Sequence, residues 1–122
     1  MQESGEMYLE SILVLGNEKE NVRSIDVAEH MGYSKASISR AMSKLRRDGY
    51  IVIDGNGHIT LTDSGRKIAE TIYDRHIVLT GVLRGLGVDE ETAVNDACKI
   101  EHYISEKSFE AMKKYIAEHQ RS

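Results

Sequence analysis

Cys98, Glu101 and His102 stand at i, i+3 and i+4 in the stretch Cys98-Lys99-Ile100-Glu101-His102. On a helix these three side chains leave from one side and can converge on one point. Near the other end of the chain, Met7 and Glu10 are again three residues apart. A thiolate, an imidazole, a thioether and two carboxylates run from soft to hard donors, a set suited to a divalent transition cation. Taken singly, each residue has a plainer reading. Cys98 and Met7 are ordinary core residue types, His102 is a helix-surface histidine, and the glutamates are solvated. Taken together, on either side of the segment described next, they read as two halves of one coordination sphere. Sulfur donors shift preference away from Mn(II) toward Fe(II) and the later metals. Availability in a cell then makes Fe(II) the first expectation and Mn(II) the second. Co(II) and Ni(II) suit the same donors, and Zn(II), which prefers four ligands, is a further surrogate.

The elements that must position these residues are mostly helical. In residues 4–18, Met7, Tyr8, Ser11, Ile12 and Leu15 recur at helical spacing, with Leu9 and Leu13 widening the apolar stripe. Ser24 is suited to cap a short helix over 25–31, and Gly32 to close it. Ser34 then caps a basic helix over 35–47 whose Ile38, Met42 and Leu45 point inward. Two helices joined by a tight Gly-containing turn are a helix-turn-helix pattern. Tyr50-Ile51-Val52-Ile53, the turn Asp54-Gly55-Asn56-Gly57, and His58-Ile59-Thr60-Leu61-Thr62 add a hairpin, which makes it a winged helix. Thr62 or Asp63 caps a long helix over 64–83. Asp89 caps another that carries Cys98, Glu101, His102 and Ile104, and Ser105 caps a last one over 106–119. Residues 119–122 are expected to fray. The three later helices bear more apolar surface than a small lobe can hide, so they are expected to pair with a second copy. The fold class is therefore mostly α: a winged helix-turn-helix DNA-binding domain over residues 1–71 and a helical dimerisation and metal-binding domain over residues 72–122.

Composition narrows the class of partner. The 122 residues are 40% hydrophobic and 30% charged, with net charge −4. That balance argues against indiscriminate nucleic-acid binding by the whole molecule. The charge is uneven, however. Residues 35–47 hold Lys35, Arg40, Lys44, Arg46 and Arg47 with no acid, a local electrostatic footprint. No apolar run approaches the ~18 residues of a membrane span, and no charged-then-apolar leader opens the chain. A cytoplasmic protein without a membrane partner is expected. The single cysteine excludes an internal disulfide and leaves Cys98 a free thiol.

Helix 1 with Glu6-Met7-Tyr8-Leu9-Glu10, a winged helix, Arg75-His76, and then Asn95-Asp96-Ala97-Cys98 with Glu101-His102 follow one another in this order. The chain thereby resembles the diphtheria-toxin-repressor family of metal-dependent transcriptional repressors, which includes iron-dependent repressors and manganese transport regulators. The resemblance covers nearly the whole chain, and its length fits the short form without an SH3-like domain. It implies that His76 is a further metal ligand, giving the set Met7, Glu10, His76, Cys98, Glu101 and His102. Met7 and Cys98 match the iron branch, whereas Glu10 fits the manganese branch. Thr80 and Val94 stand where the iron branch has the acid and histidine of an ancillary site. The resemblance also implies that Ser34, Ser37, Ser39 and Arg40 contact DNA. Arg40 is the expected base reader, since arginine can bond guanine O6 and N7 together. Lys35, Lys44 and Arg47 are expected on phosphates.

The expected function is repression. Without metal, Glu10, Glu101 and the Cys98 thiolate repel one another. With metal, helix 1 is tied to the later helix, the spacing of two DNA-reading heads is set, and a palindromic double-stranded operator is bound by a homodimer. No enzyme activity and no organic substrate are expected. Two other classes compete. One is a winged-helix regulator answering a thiol, redox or organic signal, which would keep its response without Glu101 and His102. The other is a small metalloenzyme, which would show turnover with Fe(II) or Mn(II).

Overall fold

The computed structural model describes residues 1–119, and the fraying expected for residues 120–122 falls outside them. The chain order is α1 (Glu3–Glu18), α2 (Ser24–Met31), α3 (Lys35–Arg47), β1 (Ile51–Ile53), β2 (Ile59–Leu61), α4 (Asp63–Gly85), α5 (Glu90–Ile100) and α6 (Glu106–His119). Two compact units divide it at Thr71 and Ile72, inside α4. No helix among the described residues is long and apolar enough to cross a membrane.

The first unit is a helix-turn-helix with a two-stranded wing. Leu9, Ile12, Val27, Ile38, Met42, Ile51 and Ile59 are all 5% exposed or less and form its core with their neighbours. The helix-turn-helix geometry comes from Gly32, whose φ of +71° turns the chain through the left-handed region. Glycine enters that region without steric cost. Tyr33 N–H then bonds the Ala28 carbonyl at 3.1 Å, and the Tyr33 ring meets Tyr8 of α1 edge-on, 6.3 Å between centroids. Ser34 caps α3 by accepting from Ser37 N–H. The wing pairs Ile51 with Leu61, Val52 with Thr60 and Ile53 with Ile59. Alternate residues face the core, so Ile51 and Ile59 are buried while Val52 and Thr60 face water. Beyond this pairing, Ile59 N–H bonds the carbonyl of Val22 at 2.7 Å, just ahead of α2.

One cap differs from the sequence expectation. Ser24 is the first residue of α2, and Arg23 holds the cap position. The reason is Asp26, whose carboxylate accepts the Arg23 N–H at 2.8 Å and Lys19 Nζ at 2.6 Å. These bonds, Lys19's first and the Arg23 backbone's second, hold the Asp26 carboxyl below its ordinary range. A lowered native pKa stabilises the fold above the unfolded value and loses that contribution as the pH falls through it. Asp26→Ala is expected to cost about 1 kcal/mol near neutral pH, as for a lost helix-start acceptor. In urea denaturation the gap to wild type should close below about pH 4.

The first turn of α4 is pressed against the end of α3. Thr62 caps α4 by accepting from Gly65 N–H at 3.2 Å, and its hydroxyl donates to the Gly49 carbonyl at 2.8 Å. A Cβ built on Gly65 would lie 2.0 Å from the Tyr50 carbonyl oxygen, so only glycine fits there.

The second unit comprises the rest of α4 with α5 and α6. Ile72, Leu79, Ala93, Ala97 and Phe109 are buried in it. Gly87, at φ +97°, turns the chain after α4. Asp89 caps α5 by accepting from Thr92 N–H at 3.0 Å, which lowers the Asp89 pKa. The α5 helix is shorter than the sequence suggests: it ends at Ile100, and Glu101, His102 and Tyr103 form a turn before Ser105 caps α6. Arg75 supplies the physical reason, since it satisfies carbonyls that a continuing helix would have used. At the far end, His119 is the last residue of α6 rather than frayed chain, and its Nδ1 lies 2.8 Å from the Tyr115 carbonyl.

Candidate metal centre and DNA-reading surface

In the second unit, α4 brings His76 to the end of α5. His76 Nδ1 lies 2.9 Å from Glu101 Oε2 and 3.8 Å from Cys98 Sγ. One ligand atom from each of His76, Cys98 and Glu101 falls within 4.8 Å of the others. Glu101 sits just past the last residue of α5, yet keeps right-handed helical angles and donates its N–H to the Ala97 carbonyl. The helical spacing of Cys98 and Glu101 therefore survives the end of the helix. His102 meets the other carboxylate oxygen, Nε2 to Oε1 at 3.5 Å, outside the three-atom cluster. Its side chain is 1% exposed, as is that of Glu101, so it is not the helix-surface histidine of the plainer reading.

A carboxylate almost never goes fully under the surface unless paired. Here the groups around it are two imidazoles and a thiol, with Cys98 open to solvent. One buried oxygen donor, one nitrogen and one sulfur within reach of a single point fit a divalent transition cation. The open thiol leaves a way in.

Met7 and Glu10 belong to the first unit. Both are half-buried on α1, three residues apart. Thr80 and Val94 are half-buried in the second unit.

Sequence reasoning missed the role of Arg75. The pair Arg75-His76 stood out in the sequence, but only the histidine was given work. Arg75 Nη1 donates to the backbone carbonyls of Glu101 and Ile104 at 3.2 and 3.0 Å. Only the adjacency to His76 signalled it, because its partners lie 26 and 29 residues away.

On α3, the buried Ile38, Met42 and Leu45 define the inner side. Lys35, Ser39, Arg40, Lys44 and Arg47 are all exposed, as is Ser34, while Ser37 is half-buried. Ser34 and Ser37 are partly committed to the cap, and their hydroxyls also bond each other at 2.9 Å. Lys35 and Ser39 share a shallow concavity of about 380 Å³ with Ser24 and Ile25 at the start of α2. His58, in the wing, is half-buried. Its Nε2 lies 3.1 Å from Arg23 Nη2 and its Nδ1 3.4 Å from Asp54 Oδ2. A guanidinium only donates, so Nε2 accepts and Nδ1 carries the ring proton. Asp54 accepts the backbone N–H groups of His58 and Asn56, and the bond from His58 leads in lowering its pKa.

Comparison with known proteins gives this arrangement its setting. The family described as iron dependent repressor, N-terminal DNA binding domain, matches residues 1–59. The family described as iron dependent repressor, metal binding and dimerisation domain, matches residues 62–122. The HTH-type transcriptional regulator MntR of Lysinibacillus sphaericus (strain C3-41) is 36% identical over 107 residues, 88% of this chain and 77% of that protein. MntR of Bacillus subtilis (strain 168) is also 36% identical over 107 residues, 88% of this chain and 75% of that one. A solved manganese-dependent transcriptional repressor in complex with manganese superposes with TM-score 0.83 at 28% identity, over 93% of this chain and 52% of its own. The solved structure of T. acidophilum IdeR shares the fold, with TM-score 0.79 at 21% identity over 92% of this chain and 53% of its own. The chain spans about half the length of these two solved structures. It belongs to the iron-dependent repressor family of metal-dependent, winged-helix transcriptional repressors, the type that includes MntR.

Proposed function

We propose that this chain represses transcription as a cytoplasmic homodimer on a palindromic operator when Fe(II), or failing that Mn(II), is bound. The observation that carries the reading is the His76, Cys98 and Glu101 cluster around a carboxylate that is 1% exposed. His102 braces the second oxygen of that carboxylate. Met7 and Glu10 of α1 are proposed as further donors on their chemistry alone. His76, Cys98 and Glu101 would hold a divalent cation, whose charge would offset that of the Cys98 thiolate and the Glu101 carboxylate together. If the DNA-binding form is also the metal-holding form, operator DNA must raise metal affinity by the factor by which metal raises DNA affinity. That coupling is typically ~1–3 kcal/mol.

Support for Fe(II) comes from the sulfur donors. Support for Mn(II) comes from the MntR relatives and the manganese-bound repressor of similar fold. Anaerobic titration decides. Duplexes are first selected from a random pool with the metal-loaded protein, and the winner is then titrated with each metal and with chelator. Binding is expected to need metal, to vanish with chelator, and to rank Fe(II) above Mn(II). Cys98→Glu is expected to reverse that ranking, because a carboxylate replaces the soft donor. Equal binding without metal would defeat the reading.

The second copy is assigned to an apolar groove of about 760 Å³ in the second unit, lined by Ile77, Val82 and Leu86 of α4 and its following turn and by Met112, Tyr115 and Ile116 of α6. Ile77, Leu86 and Tyr115 are 52%, 76% and 61% exposed, an apolar strip that a second copy would cover. A symmetric dimer presents two α3 helices, as a two-fold operator demands. On DNA, Arg40→Ala is expected to relax preference at one base position at a cost of about 1–3 kcal/mol. Lys44→Ala should weaken all sequences alike and reduce the salt slope by about one. Fluorescence anisotropy on matched and mismatched duplexes at several salt concentrations separates the two.

A further inference from the structure

Glu101 and His102 stand in a turn between the end of α5 and the Ser105 cap of α6. A turn holds its side chains only as firmly as its backbone is held. Two carbonyls of this one, from Glu101 and Ile104, accept from the same atom, Arg75 Nη1, at 3.2 and 3.0 Å. Both lie beyond Ile100, the last residue of α5, and a cation there meets the negative end of the α5 dipole. The guanidinium carbon lies 5.7 Å from the centre of the Phe109 ring of α6, a cation–π contact. Arg75 Nε is buried as well, so the group is committed to this spot rather than swinging in water. The next residue on α4 is His76, whose Nδ1 is 2.9 Å from Glu101 Oε2. One helix therefore holds Glu101 twice, by its main chain through Arg75 and by its side chain through His76.

We infer that Arg75 is a positioning residue for the cation site: it fixes the peptide between Glu101 and His102 so that the Glu101 carboxylate already faces His76 and Cys98 before a cation arrives. The inference rests on reading His76, Cys98 and Glu101 as donors. Without Arg75 the turn must be ordered at the moment of binding, and that ordering subtracts from affinity. Groups that orient metal ligands typically change affinity 10–100-fold when removed.

The test uses Co(II) alone as probe and the full chain as protein, wild type beside Arg75→Met, Arg75→Lys and Ile72→Val. The readouts are Co(II) affinity, the ligand-field and thiolate-to-cobalt absorption bands, and melting of the metal-free protein. Arg75→Met is expected to lose about 10-fold or more in affinity, with altered band intensities. Arg75→Lys keeps the charge but not the rigid fork, and should recover part of the loss. Ile72→Val thins the buried core of the same unit without touching the turn, so it should melt lower yet bind Co(II) as wild type does. Wild-type affinity and spectrum in Arg75→Met would overturn the inference, as would an equal affinity loss in Ile72→Val. Should Arg75→Met fail to fold, wild-type affinity in folded Arg75→Lys overturns it. No cobalt uptake by the wild type sinks the cation reading itself, whereas uptake that ignores Arg75 sinks this inference alone.

Discussion

Glu101→Gln is expected to lower divalent-metal affinity about 100-fold or more while leaving the metal-free chain folded. The substitution keeps the shape and one carbonyl oxygen for the His76 ring, whose Nδ1 is 2.9 Å from the carboxylate. What it removes is the negative charge. In the native chain that charge is 1% exposed and flanked by His76 and His102, an environment in which a carboxylate is costly to keep. An amide is cheaper to bury, so metal-free stability should hold or rise. The metal complex depends on the charge directly, so its loss should reach the upper end of the 10–100-fold seen for groups that merely orient ligands. Isothermal titration with Mn(II) and anaerobic titration with Fe(II), beside melting of the metal-free proteins, give both halves of the result. A variant that keeps wild-type metal affinity would remove Glu101 from the donor set.

Gly65→Ala should have the largest effect on folding. The added methyl would sit 2.0 Å from the Tyr50 carbonyl oxygen and 3.0 Å from its carbon. These are backbone atoms at the seam where Thr62 N–H also bonds the Tyr50 carbonyl, at 3.1 Å, so no side chain can rotate out of the way. The start of α4 must lift or the α3–β1 junction must yield. A cost of about 3 kcal/mol follows, the upper part of the range for inserting an atom into a packed contact. That is a large share of a domain stability of ~5–15 kcal/mol. Gly16→Ala is the control. Nothing lies within 4 Å of its Cβ position inside α1, and a helical glycine replaced by alanine gains roughly 0.5–1 kcal/mol. Urea melts of the two variants should move in opposite directions.

The contrast between these glycines shows how much of the molecule could be read from the chain alone. Gly32 was legible because its role is local: a left-handed residue between an apolar-periodic helix and a serine cap. Ser34, Asp89 and Ser105 were legible for the same reason, and so was the alternation of the wing. Gly65 was not, since its constraint comes from a carbonyl fifteen residues earlier in sequence. The cap of α2 was misplaced by one residue because Asp26 reaches back to Arg23, a choice that Ser24 seemed to offer on composition. The i, i+3 relation of Cys98 and Glu101 was sound, but the helix was carried past Ile100. The signal that stops it, Arg75 on the Glu101 and Ile104 carbonyls, comes from a different helix. The contact of His58 with Arg23 was not legible either, since the two are 35 residues apart. Helix periodicity reports which side of an element is apolar. It carries no record of which distant polar group meets a turn.

The bond from Ile59 N–H to the Val22 carbonyl, at 2.7 Å, gives the wing a property that two strands alone would lack. An isolated hairpin is marginal in water. Here β2 is flanked by β1 on one edge and by residue 22 on the other, so the ribbon is seated against the reading head along its inner strand. The turn at Asp54, whose carboxylate accepts the N–H groups of Asn56 and His58, is therefore not the only support of the register. A length change at Gly55 should then cost this wing less than it would cost a free-standing hairpin.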